Sequence, residues 1–134
     1  FEDMVLATGR LDNGVIVNHT VNWLSPMKER VTVVTGERGA FVVDTGSADL
    51  TFYANGTIAT AWDSIAAFRG VSEGDVVRFA LHKREPLRVE HEAFRDAVLG
   101  IRHDIVTLEQ GLQTLRVAEA MVESARTGQS IDLG

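Results

Sequence analysis

Met4-Val5-Leu6-Ala7-Thr8-Gly9-Arg10-Leu11-Asp12-Asn13-Gly14-Val15-Ile16-Val17-Asn18-His19-Thr20-Val21-Asn22-Trp23-Leu24 reads as two apolar runs around Asp12-Asn13-Gly14. Asn-Gly tolerates the positive φ values of a type I′ turn, so the segment predicts a β-hairpin. In its second strand the odd positions are Val15, Val17, His19, Val21 and Trp23, and the even ones include Asn18, Thr20 and Asn22. That alternation makes one mainly apolar and one mainly polar face. A two-residue turn at Asn13-Gly14 would set Gly9, Ala7 and Val5 opposite Asn18, Thr20 and Asn22. The small, polar face would then line a cleft or meet a partner. Met4, Leu6, Val17, Val21 and Trp23 would form the buried, bulky face.

Outward from this hairpin the same signals recur. Arg30 to Thr35 is β-branched, Gly36-Glu37-Arg38-Gly39 is a turn, and Ala40 to Asp44 returns. Leu50 to Ala54, Asn55-Gly56 and Thr57 to Trp62 predict a third hairpin. Asp63 to Asp75 reads as a loop with at most one helical turn, and Val76 to Lys83 as another strand. Past Pro86 the period changes. Val89, Ala93 and Ala97, with Phe94, Val98 and Ile101, fall at helical spacing, and Gly100 is placed to cap. Thr107-Leu108-Glu109-Gln110 fits a capping box. Leu108, Leu112, Leu115, Ala118, Val122 and Ala125 then make one stripe, ended by Gly128. Gly111 in the first turns suggests a close backbone approach. Strands first and helices last predict an α+β fold: an open, mainly antiparallel sheet with C-terminal helices packed on one face.

At 134 residues the chain is expected to be a single domain, residues 1–134. Its 45% hydrophobic and 24% charged residues are those of an ordinary soluble globule. Thirteen basic against nineteen acidic residues leave a net charge of −6. That argues against nucleic acid or an anionic membrane as partner, since both need a basic face. With no cysteine, disulfides, thiolate zinc sites and cysteine nucleophiles are excluded, and a cytoplasmic setting is expected. No apolar run nears the roughly 20 residues of a membrane span. Phe1-Glu2-Asp3-Met4 is no signal peptide and lacks an initiator methionine, so position 1 reads as a cut in something longer.

Motifs for chemistry are sparse. There is no dinucleotide fingerprint and no phosphate loop; Gly36-x-x-Gly39 lies between strands rather than opening a helix. His19, His82, His91 and His103 show no metal-ligand spacing, and His19 reads as a core histidine. No serine has a nucleophile-elbow context, and the carboxylates are scattered. One segment is distinctive: Asn22-Trp23-Leu24-Ser25-Pro26-Met27-Lys28-Glu29-Arg30. An indole face with two cations and two polar groups suits a sugar or a phosphate. Asn22, Trp23, Lys28 and Arg30 are therefore candidate substrate contacts. The alternative stays open that this is a solvated strand end with Trp23 in the core.

The motif order carries a resemblance. Glu2-Asp3 is followed by a strand closing on Asn13-Gly14, then by Asn22-Trp23-Leu24-Ser25-Pro26 and Val33-Val34-Thr35-Gly36-Glu37-Arg38-Gly39-Ala40-Phe41-Val42-Val43-Asp44. Glu85-Pro86-Leu87 with Glu90 and Phe94 comes later, and then Gly111-Leu112, Val117-Ala118-Glu119-Ala120 and Glu123-Ser124-Ala125-Arg126-Thr127-Gly128. Over nearly its whole length the chain resembles the C-terminal domain of the Gfo/Idh/MocA oxidoreductases, such as glucose–fructose oxidoreductase and inositol dehydrogenase. Asn22 to Pro26 and Thr35 to Gly39 look most like the branch acting on UDP-N-acetylhexosamines. The resemblance implies a domain that walls the substrate cleft and forms homo-oligomers through its sheet. It implies a sugar, cyclitol or nucleotide-sugar substrate and NAD or NADP in the parent protein. The cofactor and the catalytic lysine of a Glu-Lys-Pro motif belong to a preceding Rossmann region. Arg84-Glu85-Pro86 is no substitute, so no catalytic residue, metal or cofactor site is carried over, and this chain alone is expected to be inactive. Two other readings stand beside it: a stand-alone, non-catalytic binding or assembly module, and a small hydrolase or isomerase with dispersed carboxylates.

Overall fold

A computed structural model describes residues 3–56, 72–101 and 104–134. The class is α+β, with strands first and helices last. The described strands form two antiparallel sheets. One pairs β1 (Met4–Arg10) with β2 (Ile16–Asn22). The other runs in the order β3 (Val31–Gly36), β4 (Gly39–Asp44), β5 (Asp49–Gly56) and β6 (Ser72–Phe79). Helices α1 (Pro86–Val98) and α2 (Leu108–Thr127) follow. Among the described residues no helix is long and apolar enough to cross a membrane. The chain divides into two compact units, Phe1–Pro26 with Glu85–Gly134, and Met27–Arg84.

In the first unit the hairpin closes on three loop residues, not two. Leu11 N donates to Val15 O at 2.9 Å and Gly14 N to Leu11 O at 2.8 Å. Asp12-Asn13-Gly14 is the loop, with Gly14 alone at a positive φ of 87° and Asn13 remaining at negative φ. This is the three-residue hairpin with glycine in the left-handed position, where a type I′ turn would need both central residues there. One extra loop residue shifts the register by one and exchanges the faces. Asn18 stands opposite Thr8, Thr20 opposite Leu6 and Asn22 opposite Met4. Thr8 Oγ1 donates to Asn18 Oδ1 at 2.9 Å across that pair. The small residues Ala7 and Gly9 instead share a face with Val5, Val17, His19 and Val21. Val5, Ala7 and Val17 are half-buried, whereas His19 is exposed and is no core histidine.

The helix ends form as expected because their signals are local. Glu85 caps α1, its carboxylate accepting from Leu87 N and Arg88 N. Gly100 takes φ 70° past the C-cap. Gly100 N donates to Ala97 O at 3.0 Å and Ile101 N to Asp96 O at 2.8 Å, satisfying carbonyls that the helix leaves open. Val89, Ala93 and Ala97 are half-buried, and Phe94, Val98 and Ile101 are exposed. At α2 the capping box is complete: Gln110 N donates to Thr107 Oγ1 at 3.3 Å and Thr107 N to Gln110 Oε1 at 2.9 Å. Gly128, at φ 69°, ends it.

The half-buried line of α2 runs through Val117, Ala120, Met121 and Ser124. The expected stripe lies about one residue round the helix, and Leu108, Leu112, Leu115 and Val122 are exposed. The apolar arc of α2 is broad, so periodicity alone does not fix its centre. Gly111 has no close neighbour either, since a Cβ there would meet nothing within 4 Å.

In the second unit Glu37-Arg38 makes a two-residue turn that brings Gly36 opposite Gly39. Gly39 is buried, with φ 148°. A Cβ there would run into the carbonyl oxygen of Tyr53 and lie 2.9 Å from Phe52 Cζ. Asn55 straps this turn to β5: its N–H donates to Arg38 O at 3.0 Å and its Nδ2 to Glu37 O at 2.8 Å. The second Asn-Gly pair is therefore not a turn. Asn55 and Gly56 stay in β5, opposite Glu73 and Ser72. Here a long-range use of the side chain and the ladder overrides the local signal. The register shifts between Tyr53 and Asn55, and β6 spans Ser72–Phe79, beginning four residues before the expected Val76. The predicted return strand Thr57 to Trp62 lies outside the described residues, as does the first part of the predicted loop.

The pairing register sorts this sheet into two faces. Val34, Phe41, Phe52 and Val77 stand in one cross-strand row, with Thr32, Val43, Leu50 and Phe79 beside it. The Phe41 and Phe52 rings lie 4.7 Å apart, and those of Phe41 and Phe79 6.4 Å. Such aromatic pairs add about 0.5–1.5 kcal/mol beyond area burial. The opposite face carries Val33, Val42, Thr51 and Arg78 in register.

Two glycine substitutions should have opposite signs. Gly39→Ala should cost about 1–3 kcal/mol, because backbone must move to admit the methyl. Gly111→Ala should gain up to about 1 kcal/mol from helix propensity alone. Urea midpoints of the two variants check this; a neutral Gly39→Ala would contradict the close approach to Tyr53.

Candidate functional site

The candidate contacts Asn22, Trp23, Lys28 and Arg30 fall where the chain leaves β2 and enters β3. Asn22 ends β2, and its Oδ1 accepts from Leu24 N at 2.8 Å, a local turn that bends the chain away from the strand. Trp23 N donates to Asp3 O at 2.9 Å, so the backbone is held while the indole is free. Trp23 is 80% exposed and is not a core residue in the described chain. Leu24 and Met27 are also largely exposed. Lys28 and Arg30 are exposed on the approach to β3. Arg30 O accepts from Thr45 N at 3.0 Å and Thr45 Oγ1 at 3.2 Å, which anchors its backbone beside the β4–β5 turn. Asn22 and Trp23 belong to the first unit, Lys28 and Arg30 to the second. Trp23 and Arg30 thus present exposed side chains from a backbone tied by hydrogen bonds.

A second group of charged residues emerges only from the folded chain. The β4–β5 turn, Asp44 to Asp49, folds on its own side chains. Asp44 Oδ1 accepts from Gly46 N at 2.8 Å and Ser47 N at 3.3 Å. Ser47 Oγ lies 2.9 Å from both Asp44 Oδ2 and Asp49 Oδ2, and its one proton serves one of them at a time. Asp49 Oδ1 meets Arg78 Nη2 at 2.9 Å and Lys83 Nζ at 3.1 Å. Lys83 Nζ also donates to Ser47 O at 2.7 Å. Ala48, between them, takes φ 54°, the one described non-glycine residue at positive φ.

The Arg78 guanidinium, then Lys83 and the Ser47 hydroxyl, hold the Asp49 carboxyl far below the usual carboxylate range. The Ser47 hydroxyl, with the Gly46 and Ser47 N–H groups, lowers that of Asp44. Both stay ionised at neutral pH, and their lone pairs are engaged. Asp49 thereby ties β5 to β6 and to the segment after it, and Asp44 closes the turn that leads into β5. Asp44-Thr45-Gly46-Ser47 carries a legible Asx-turn signal. The pairing of Asp49 with Lys83, 34 residues on, leaves none in the sequence.

The described residues do not fit a dinucleotide. A pyrophosphate needs open N–H groups at a helix N-terminus after a glycine-rich turn. The Glu85 carboxylate fills that position in α1, and Thr107 with Gln110 fills it in α2. Gly36 and Gly39 join two antiparallel strands. Among the described residues no group of three or more His, Asp or Glu gathers to hold a metal.

A family model described as the oxidoreductase family, C-terminal alpha/beta domain, matches residues 1–133. The chain belongs to the Gfo/Idh/MocA oxidoreductases, as their C-terminal domain. No curated protein and no solved structure matches it significantly. The family match spans every described element, from β1 through α2. This Gfo/Idh/MocA domain offers exposed cations and an exposed indole, and its buttressed carboxylates serve the sheet.

Acid should loosen the sheet unit. A carboxyl depressed in the folded chain is stabilised as the anion; that contribution is complete above the unfolded value of about 4 and is lost as pH falls toward the folded one. The urea midpoint should therefore drop between about pH 4 and pH 2, and Asp49→Asn should flatten that slope while lowering the midpoint at neutral pH. A variant with the wild-type slope would show that the Asp49 pairs contribute nothing.

Proposed function

We propose that this domain forms the substrate-side wall of an NAD(P)-dependent dehydrogenase acting on a hydroxyl of a sugar, cyclitol or nucleotide sugar, and that it also joins subunits of that enzyme. The observation that supports this most is the family match over residues 1–133. NAD or NADP would sit in the preceding part of the parent protein, and this chain would supply no catalytic residue. In this reading Asn22, Trp23, Lys28 and Arg30 touch substrate. The indole stacks on the C–H face of a sugar ring, and the ammonium and guanidinium pair with a phosphate where the substrate carries one. Nucleotide sugars of the UDP-N-acetylhexosamine type carry both the ring and the phosphate that these residue types suit.

Association would use the sheet. Val34 and Val77 are about half exposed on the aromatic face, and Phe41 and Phe79 nearly so. Apolar area of this kind is buried against another surface in working proteins. A homo-oligomer is the reading we adopt, without nucleic acid or membrane as partner. The cysteine-free composition goes with a cytoplasmic setting.

Two experiments test these readings separately. In the full-length parent, Trp23→Ala should raise KM for the sugar substrate by a few-fold to about tenfold, the size of a stacking contact, and leave KM for the nicotinamide cofactor unchanged. An unchanged sugar KM would remove Trp23 from the cleft. The isolated chain should show no saturable change in NADH fluorescence and should sediment as a dimer or larger species. Tight NADH binding would overturn the division of labour; a strict monomer would overturn association through the sheet.

A further inference from the structure

We draw no further inference here: the strongest candidate, the apolar face of the four-stranded sheet around Phe41, Phe52 and Phe79, carries nothing beyond the proposed association because nothing in the structure shows what covers it.

Discussion

The contact of Phe41 with Phe52 and Phe79 is the interaction on which the sheet unit depends. Phe41 on β4 touches rings from β5 and β6, so one side chain ties three strands that are hydrogen-bonded only pairwise. Its row continues through Val34 on β3 and Val77 on β6. Backbone ladders set the spacing of strands but are indifferent to a slip of register. The aromatic row is not indifferent, since a one-residue slip would send each ring to the opposite face. The Glu37-Arg38 turn and its Asn55 strap hold the β3–β4–β5 corner in the same register. The close approach of Gly39 to Tyr53 and Phe52 belongs to the same corner.

What the sequence made legible follows the range of each interaction. The helix caps were readable because Thr107 with Gln110, and Gly100 with Ala97, act within one turn. The order of strands was readable from alternation and turn residues. The hairpin register was not, because Asn13-Gly14 fits both a two-residue and a three-residue loop, and the two differ by one residue in every pair. Asn55-Gly56 misled for another reason: Asn55 is engaged by the turn at Glu37, 18 residues away. Of the candidate site, the exposure of Trp23 was not legible, since a tryptophan at a strand end reads equally well as a core residue. The Asp49 pairs were invisible, since an aspartate in a polar turn looks the same whether or not a distant lysine reaches it.

The polar groups of this oxidoreductase-family domain fall into engaged and exposed sets. Asp44 and Asp49 are engaged by neighbours, the helix N-termini are closed by Glu85 and by Thr107 with Gln110, and Trp23, Lys28 and Arg30 are exposed. The backbone beside Trp23 is held by Asp3 O and by the Asn22 turn, so a change of side chain there leaves these ties in place.

The left-handed backbone at Ala48 limits which residues that position accepts over evolutionary time. A side chain branched at Cβ clashes there, while Gly, Asn and Asp enter that region readily. Homologous domains with the same β4–β5 turn should therefore carry Gly, Asn, Asp or, as here, alanine at position 48, and no residue branched at Cβ. Valine or isoleucine in an aligned sequence marks a turn of different length, and with it a different geometry for whatever answers to Lys83.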